Sequence, residues 1–598
     1  MVEKIINNFS ITIATVNGSG SQTANVTLLR ALFKMGIPVS GKNIFPSNIQ
    51  GLPTWYTIRL SKDGFIARRD EQEVIVTLNP ASFAQDLASV LPGGAFFYAD
   101  DIKQPITRKD ISVYPMPVKA LARSADVSPS LQDYIANMVY VGVLANILGI
   151  DLKEIEQALD FHFKGKAQAV ESNLKTIRAG SEWADQNLKK SDPFFVQSMQ
   201  ATKGFILADG NTAAALGAIY GGIQFEAWYP ITPASSLAES LNIFLPQLRK
   251  TSDGKQTYAV LQAEDELAAI GMAIGAGWGG LRSMTSTSGP GISLMAEYTG
   301  LAYFAEVPVV IWDVQRIGPS TGMPTRTAQG DLSEVYSLSH GDKQHVILLP
   351  GTIKECFEFG WKAFDLAEHL QTPVFVLSDL DLGMNQWMSR PFEYPDTPLD
   401  RGKVLWEADL EKLNGIWGRY KDADGDGIPF RTVPGNKHPA SAWFGRGAGH
   451  DENARYTEDA GTWEKNMLRL KKKYETARTL VPKPLIKTVK GAHIGIIVYG
   501  SSTPAVEEAR GLLQKEEGIL TNFMRLRSLP FSREVQNFTK KNDHIYIVEA
   551  NRDGQLRQIM SAAIPEQAPK LRSACHSDGL PLTAKWVKES ILAQEKKE

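Results

Sequence analysis

Short apolar runs bounded by glycine, proline and hydroxyl-rich segments recur along the chain, and stretches with apolar residues three and four apart lie between them. That alternation predicts an α/β chain whose strands pair in parallel, doubly wound fashion. The first run, ITIATV (11–16), leads into NGSGSQT and then into the helical pattern TANVTLLRALFKMG. Strand, glycine turn and helix in that order open an α/β unit. Further strands are expected at TWYTIRLS and EVIVTLN, and a helical region from Asp133 to Lys190, with charged residues on its wet faces.

Periodicity is lost over Ser191–Lys203, which reads as a linker. Strand-like runs then return at Ala259–Gln262, Arg282–Thr287, Val307–Val314, His345–Leu349 and Pro373–Leu377, separated by helical patterns. Residues 384–481 are rich in Trp, Pro, Gly and charge without a clean repeat, and are expected to form an irregular extension that covers a neighbour. After VPKPLIKTVK a last α/β segment begins with HIGIIVYGSS. The expected organisation is 1–190, a linker at 191–203, 204–383, the extension 384–481, and a smaller domain at 491–598.

Composition narrows the function classes. The 598 residues are 43% hydrophobic and 22% charged, near the soluble globular average. Lys+Arg total 64 against Asp+Glu 66, so no basic excess points to nucleic acid or a membrane surface. Two cysteines, Cys356 and Cys575, exclude a disulfide framework and an iron–sulfur cluster ligated wholly by this chain. The uncharged stretch between Glu266 and Arg282 is shorter than the roughly 18–20 residues of a membrane span. No signal-peptide core is visible, so a cytoplasmic location is expected.

Four segments carry candidate chemistry. In EAWYPITPASS, Pro230 and Pro233 fix a loop around Ile231 and Thr232 that presents the Thr232 hydroxyl. The plain reading is a strand-to-helix turn with a capping hydroxyl. In VLQAEDELAAIGMAIGAGWGG, Glu264, Asp265 and Glu266 precede a helix with no charge until Arg282. Acidic residues in a first turn match the helix dipole, which explains any one of them. A carboxylate at the mouth of a buried helix would also have a raised pKa and suit proton exchange with a bound base. In TSTSGPG, Thr287, Ser288 and Gly289 sit in a hydroxyl- and amide-rich turn after a strand, where open α/β sheets bind polar ligands. Finally, Arg316 in QRIGPSTGMPT follows a buried strand at its carboxyl end, placed either to capture a carboxylate or to form a surface ion pair.

Together and in this order, YPITPASS, AEDELAAIGMAIGAGWGG, TSTSGPG and QRIGPSTGMPT resemble the α subunit of the 2-oxoacid:ferredoxin oxidoreductases. The NGSGSQTA region resembles the family's γ domain, so the chain resembles a γ–α fusion, a likeness extended by RTVPG, RGAGHDENARY and VEANRDGQLRQI. The resemblance implies a γ-type α/β domain, a pyrimidine-binding-type thiamine diphosphate domain and a transketolase-C-like domain. It implies that Glu266, or alternatively Glu264, hydrogen-bonds the aminopyrimidine of thiamine diphosphate. It further implies that Thr232 and Arg316 hold the substrate carboxylate, and that Pro230, Ile231, Thr287, Ser288 and Gly289 face the cofactor.

The reaction so implied is reversible oxidative decarboxylation of a 2-oxoacid, with CoA as acyl acceptor and ferredoxin as electron acceptor; the QRIGPSTGMPTRTAQGD version favours 2-oxoglutarate over pyruvate or a broad range. A transketolase-like transferase is the rival of another class. No metal site is expected on this chain. Gly425-Asp426-Gly427 with Asn453 imitates a magnesium–diphosphate motif without its strand and helix, and Asp422, Asp424 and Asp426 imitate a calcium loop that has Val433 where a glutamate is needed. The resemblance implies that Mg2+ and [4Fe-4S] sit on a partner β subunit, in an (αβ)2 heterotetramer. The NGSGSQ turn suits a phosphate, and the resemblance implies CoA contact on this domain.

Overall fold

Residues 3–46, 51–124, 132 and 134–596 are described by the computed structural model. Asp133, where the first helical region was expected to begin, lies outside them. The chain forms two units, one of residues 1–208 with 385–391 and 583–586, the other of 209–384 with 392–582 and 587–598.

In the first unit β1 (Asn8–Val16) is buried along seven consecutive residues, so both of its faces are covered. Helix α1 (Ser21–Lys34) follows after a turn in which Gly18 and Gly20 have φ of 86° and 78°, a left-handed geometry that favours glycine. Strands β2 (Val39–Ile44), β3 (Pro53–Ser61), β4 (Gln72–Thr77), β5 (Val90–Ala99) and β6 (Ser112–Met116) complete a six-stranded sheet of order β2-β3-β1-β4-β5-β6. β3 is antiparallel to both neighbours and the other pairs are parallel. Strands β2, β5 and β6 were not expected. VSGKNI is polar and VLPGGAFFYA carries Pro92, Gly93 and Gly94, which hide the strand pattern.

The helical region resolves into α2 (Met138–Leu148), α3 (Leu152–Phe163) and α4 (Ala167–Asn187). α2 and α4 cross closely: a β-carbon on Gly142 would run into the Ile177 carbonyl, and one on Gly180 would lie 2.6 Å from the Val139 carbonyl.

The second unit is built on a seven-stranded sheet. In chain order its elements are α5 (Gly210–Tyr220), β7 (Phe225–Trp228), α6 (Ser235–Leu248), β8 (Ala259–Gln262), α7 (Glu266–Trp278), β9 (Ser283–Thr287), α8 (Gly289–Leu294), α9 (Ala296–Ala305), β10 (Val309–Gln315), α10 (Leu332–Tyr336), β11 (Val346–Leu348), α11 (Ile353–Leu370) and β12 (Pro373–Asp379). The sheet order is β8-β7-β9-β10-β12-β11, all parallel, closed by an antiparallel edge at Ser528–Leu529. This is the parallel sheet the alternation predicts. β9, β10 and β12 are buried at every residue and read as mainly apolar or small-residue runs, broken by Asp313 and Gln315 in β10 and by Asp379 at the end of β12. A five-stranded, mostly parallel sheet carries the C-terminal segment and shares a hydrophobic core with the larger sheet.

The extension is not irregular throughout. Residues Ala460–Leu480 form the 21-residue helix α12, started by Asp459, whose side chain accepts from the Thr462 amide. Its buried stripe includes Asn466 and Lys473 beside Leu470, Tyr474 and Ala477, so polar residues interrupt the apolar period. Those polar residues are satisfied by specific partners. Lys473 and Arg469 bind the buried Glu306 carboxylate at 2.8 and 2.5 Å, and the Asn466 amide donates to the His450 carbonyl.

β7 carries a second buried carboxyl. Glu226 is fully buried, one oxygen accepts from Ser286 at 2.9 Å, and the other has no partner. Burial pushes its pKa up to about 8, opposed by the Ser286 hydrogen bond. The native state therefore holds a proton that the unfolded chain releases near its ordinary value of 4.5. Stability should fall as pH rises from about 4.5 to about 8, by up to about 1.4 kcal/mol per pH unit. Glu226→Gln is expected to flatten that slope in denaturant unfolding between pH 5 and 8; an unchanged slope would show the carboxyl to be ionised in the native protein.

Candidate active site

Because β7, β8, β9 and β10 are parallel, the segments leaving them emerge at one edge of the sheet, the edge where open α/β sheets bind ligands. The four segments are Tyr229–Pro233, Glu264–Glu266, Ser288–Gly291 and Arg316 onwards. The sheet thus brings together motifs 84 residues apart: Arg316 Nη1 donates to the Thr232 carbonyl at 2.7 Å.

Glu266 is the first residue of α7, and the preceding Asp265 caps the helix by accepting from the Ala268 amide at 2.8 Å. The three carboxylates divide accordingly. Asp265 is used locally, Glu264 is exposed, and Glu266 is half-buried. α7 itself is not wholly buried: Leu267 and Met272 face outward, while Ala269, Ile270, Ala273 and Ile274 enter the core.

Glu266 hydrogen-bonds the Tyr229 hydroxyl, which also lies 2.7 Å from Thr287 Oγ1. Burial raises the Tyr229 pKa, and the Glu266 and Asp313 charges add to the shift. This phenol stays protonated and donates. Tyr229 also lies within electrostatic range of Arg316. Sequence reasoning did not single out Tyr229, although it stands immediately before Pro230 in the loop motif.

Gly291 makes the cluster possible. A β-carbon there would collide with the Tyr229 hydroxyl and Thr287 Oγ1 and lie 3.1 Å from Glu266 Cγ. Gly289 is packed likewise, 2.8 Å from both oxygens of Asp331 for a β-carbon. Thr287 and Ser288 are fully buried, Pro230 is exposed, and Ile231 is half-buried with its amide donating to Ser235 Oγ at 2.9 Å.

Two donors at this edge have no protein partner: Ser288 Oγ and Arg316 Nε are both buried and unpaired. Unsatisfied buried donors are costly unless a ligand uses them. Beside a half-exposed carboxylate at a strand end, they fit an anionic substrate and a cofactor with a protonatable ring. Burial lowers the Arg316 pKa, against the attraction of Tyr229 and Asp331.

The acidic loop is arranged differently. Asp422 accepts from the Gly425 and Gly427 amides, while Lys403 Nζ binds Asp424 at 2.6 Å, Asp426 at 2.7 Å and the Ile428 carbonyl at 2.9 Å. A lysine ammonium therefore takes the place of a cation among these carboxylates. Cys356 is buried in α11 and Cys575 is half-buried; both are free thiols whose pKa burial raises. At the N-terminal glycine turn no side chain caps α1, and the Ser19 carbonyl accepts from Asn137. Among the described residues no helix is long and apolar enough to cross a membrane.

Comparison with known proteins agrees with this architecture. Residues 216–396 match the family described as pyruvate flavodoxin/ferredoxin oxidoreductase, thiamine diphosphate-binding, and residues 10–183 match the pyruvate ferredoxin/flavodoxin oxidoreductase family. The chain is 32% identical to a 2-oxoacid:ferredoxin oxidoreductase α subunit of Saccharolobus solfataricus, over 76% of this chain and 71% of that one. It is 32% identical to the 2-oxoglutarate synthase subunit KorA of Methanothermobacter thermautotrophicus, over 61% of this chain and 94% of that one. The structure of 2-oxoglutarate:ferredoxin oxidoreductase from Magnetococcus marinus, with 2-oxoglutarate, coenzyme A and succinyl-CoA bound, matches with a TM-score of 0.87 at 28% identity, covering 98% of this chain and 99% of that chain. Sequence motifs, parallel-sheet site and whole-chain likeness converge: the chain belongs to the 2-oxoacid:ferredoxin oxidoreductase family, as an α-type subunit with an N-terminal γ-like region.

Proposed function

We propose that the chain is the fused γα subunit of a 2-oxoglutarate:ferredoxin oxidoreductase. The complex would convert 2-oxoglutarate, CoA and two oxidised ferredoxins reversibly into succinyl-CoA, CO2, two reduced ferredoxins and a proton. The observation that carries this reading is the union of Glu266, Tyr229, Thr287, Arg316 and Thr232 at one strand-end edge. The choice of 2-oxoglutarate is supported by the KorA relative and by the ligands of the Magnetococcus marinus enzyme.

Thiamine diphosphate, when bound, supplies a carbon nucleophile and an electron sink for decarboxylation. On this chain Glu266 holds the proton exchanged with the aminopyrimidine nitrogen, and the Tyr229 hydroxyl fixes the orientation of that carboxylate. Pro230 and Ile231, backed by the buried Thr287, Ser288 and Gly289, form the wall against the ring. The Arg316 guanidinium and the Thr232 hydroxyl hold the substrate carboxylate, the arginine arm being fixed by its bond to the Thr232 carbonyl.

The remaining groups are assigned to a β subunit: the diphosphate and Mg2+, the [4Fe-4S] cluster and the ferredoxin contact. Two cysteines are too few for a four-thiolate cluster, and the acidic loop is occupied by Lys403. Around Glu266 the side chains of Leu261, Leu267, Met272 and Leu294 are exposed, an apolar surface suited to burial by that partner. An (αβ)2 assembly follows the same reading.

The test is purification of the complex and viologen reduction with 2-oxoglutarate and with pyruvate, with and without CoA. CoA-dependent reduction with 2-oxoglutarate in preference to pyruvate is expected. Preference for pyruvate would replace the substrate assignment, and CoA-independent activity without a cysteine-rich partner would overturn the reading.

A further inference from the structure

Beneath the Ser288–Gly291 turn lie two carboxylates that the reaction scheme leaves without a role. Asp313 is on the central strand β10, opposite Thr287 of β9, and is fully buried. Neither of its oxygens meets an N–H or O–H donor, nor does the buried Oδ2 of Asp331. What these oxygens face is each other: the two carboxyl groups are hydrogen-bonded together. Asp331 is held in place by its own amide, which donates to Gln315 Oε1 at 3.1 Å, and its carboxyl group packs against Gly289 closely enough to exclude a β-carbon there.

The other charged or titratable groups facing this pair are few. Glu334, three residues after Asp331, adds a negative charge, and Arg316 faces Asp331 with a positive one. Among the described residues the phenols of Tyr229 and Tyr499 complete the set. Two ionised carboxylates in contact, buried and without donors, are untenable, whereas one proton between them supplies the missing donor and leaves a single charge opposite Arg316. Burial first, and then the charge of Asp331 on Asp313 and of Glu334 on Asp331, raise both groups above the ordinary aspartate range, while the hydrogen bond to Asp313 and the charge of Arg316 hold Asp331 back.

We propose that Asp313 and Asp331 form a carboxyl–carboxylate pair sharing one proton, and that its single negative charge positions Arg316 for the substrate carboxylate. The pair consists of positioning residues that act through Arg316. It rests on the assignment of Arg316 to substrate binding. Loss of the shared proton at high pH places a second negative charge behind the arginine and weakens its hold on a 2-oxoacid anion. Asp313→Asn retains a donor to Asp331 and cannot ionise.

The experiment uses the assembled enzyme. Infrared difference spectra of wild type minus Asp313→Asn at about pH 7 are expected to show a protonated-carboxyl C=O band; Glu226, common to both proteins, cancels. Absence of the band overturns the proposal. As the pH is raised until that band disappears, the wild-type KM for the 2-oxoacid should rise roughly three- to tenfold. In Asp313→Asn it should stay flat, with kcat similar in both. Asp331→Asn gives the same infrared test if Asp313→Asn folds poorly, and the wild-type titration needs no variant.

Two failures are distinguishable. A KM that responds to Arg316→Ala but not to the pair's titration removes the pair's role. A KM indifferent to Arg316→Ala removes the substrate assignment, and the proposal with it.

Discussion

Glu266→Gln is expected to lower turnover of the assembled enzyme by about 10²- to 10⁴-fold, the range for removing a proton-transfer group. Glutamine keeps the size of the side chain and can still meet the Tyr229 hydroxyl, so the cluster at Gly291 is preserved. What it removes is the exchangeable proton. The loss should therefore appear in kcat and in the rate of deuterium exchange at the reactive carbon of bound thiamine diphosphate, while KM for the 2-oxoacid changes little. Glu264→Gln is the control. Glu264 is exposed, without the contacts that fix Glu266, and its replacement should leave exchange within about threefold of wild type. If the two variants exchange roles, Glu264 reaches the cofactor and Glu266 supports it through Tyr229.

The parallel sheet of the second unit was legible because its strands are buried on both faces. VVIWDVQ and PVFVLSD leave no polar alternation that could mislead, and the helices between them repeat at helical spacing. The strands that escaped notice are short or carry breakers. Phe225–Trp228 is four residues long and runs straight into the Pro230 loop, so its sequence reads as part of that loop. The helix Ala460–Leu480 escaped for another reason: the buried ends of its polar residues meet partners distant in sequence, Glu306 and the His450 carbonyl. Spacing along a helix cannot show that a lysine on the inner face has a carboxylate waiting for it.

Similar limits govern the site. The motif segments were visible as clusters of unusual residue types, but the links between them are tertiary. Tyr229 bridges Glu266 and Thr287 only because β7 and β9 are neighbours, and Asp313 meets Asp331 only because the 316–330 loop folds back over β10. Asp313 lay inside an apolar run, where a single acid is readily taken for a strand-end residue. Its register opposite Thr287 shows that it sits under the turn.

Arg316→Ala should raise KM for the 2-oxoacid by about 30- to 1000-fold, equivalent to roughly 2–4 kcal/mol for losing one partner of a buried charge-assisted contact. Arg316 is 7% exposed, has one guanidinium nitrogen committed to the Thr232 carbonyl and another unpaired, and among the described residues no other arginine is hydrogen-bonded to that loop. Truncation therefore removes the anion's partner and also leaves the Thr232 carbonyl without its donor. Arg316→Lys separates the two effects. A lysine can satisfy either the Thr232 carbonyl or the substrate, but its single nitrogen cannot reproduce the fork that serves both. An intermediate KM is expected for the lysine variant, with kcat falling as well because the loop that carries Thr232 is no longer tied to the anion site. If Arg316→Lys equals wild type, charge alone suffices and the bond to Thr232 has no part in substrate placement. If both variants bind the 2-oxoacid normally while decarboxylation persists, the substrate carboxylate is held by another cation.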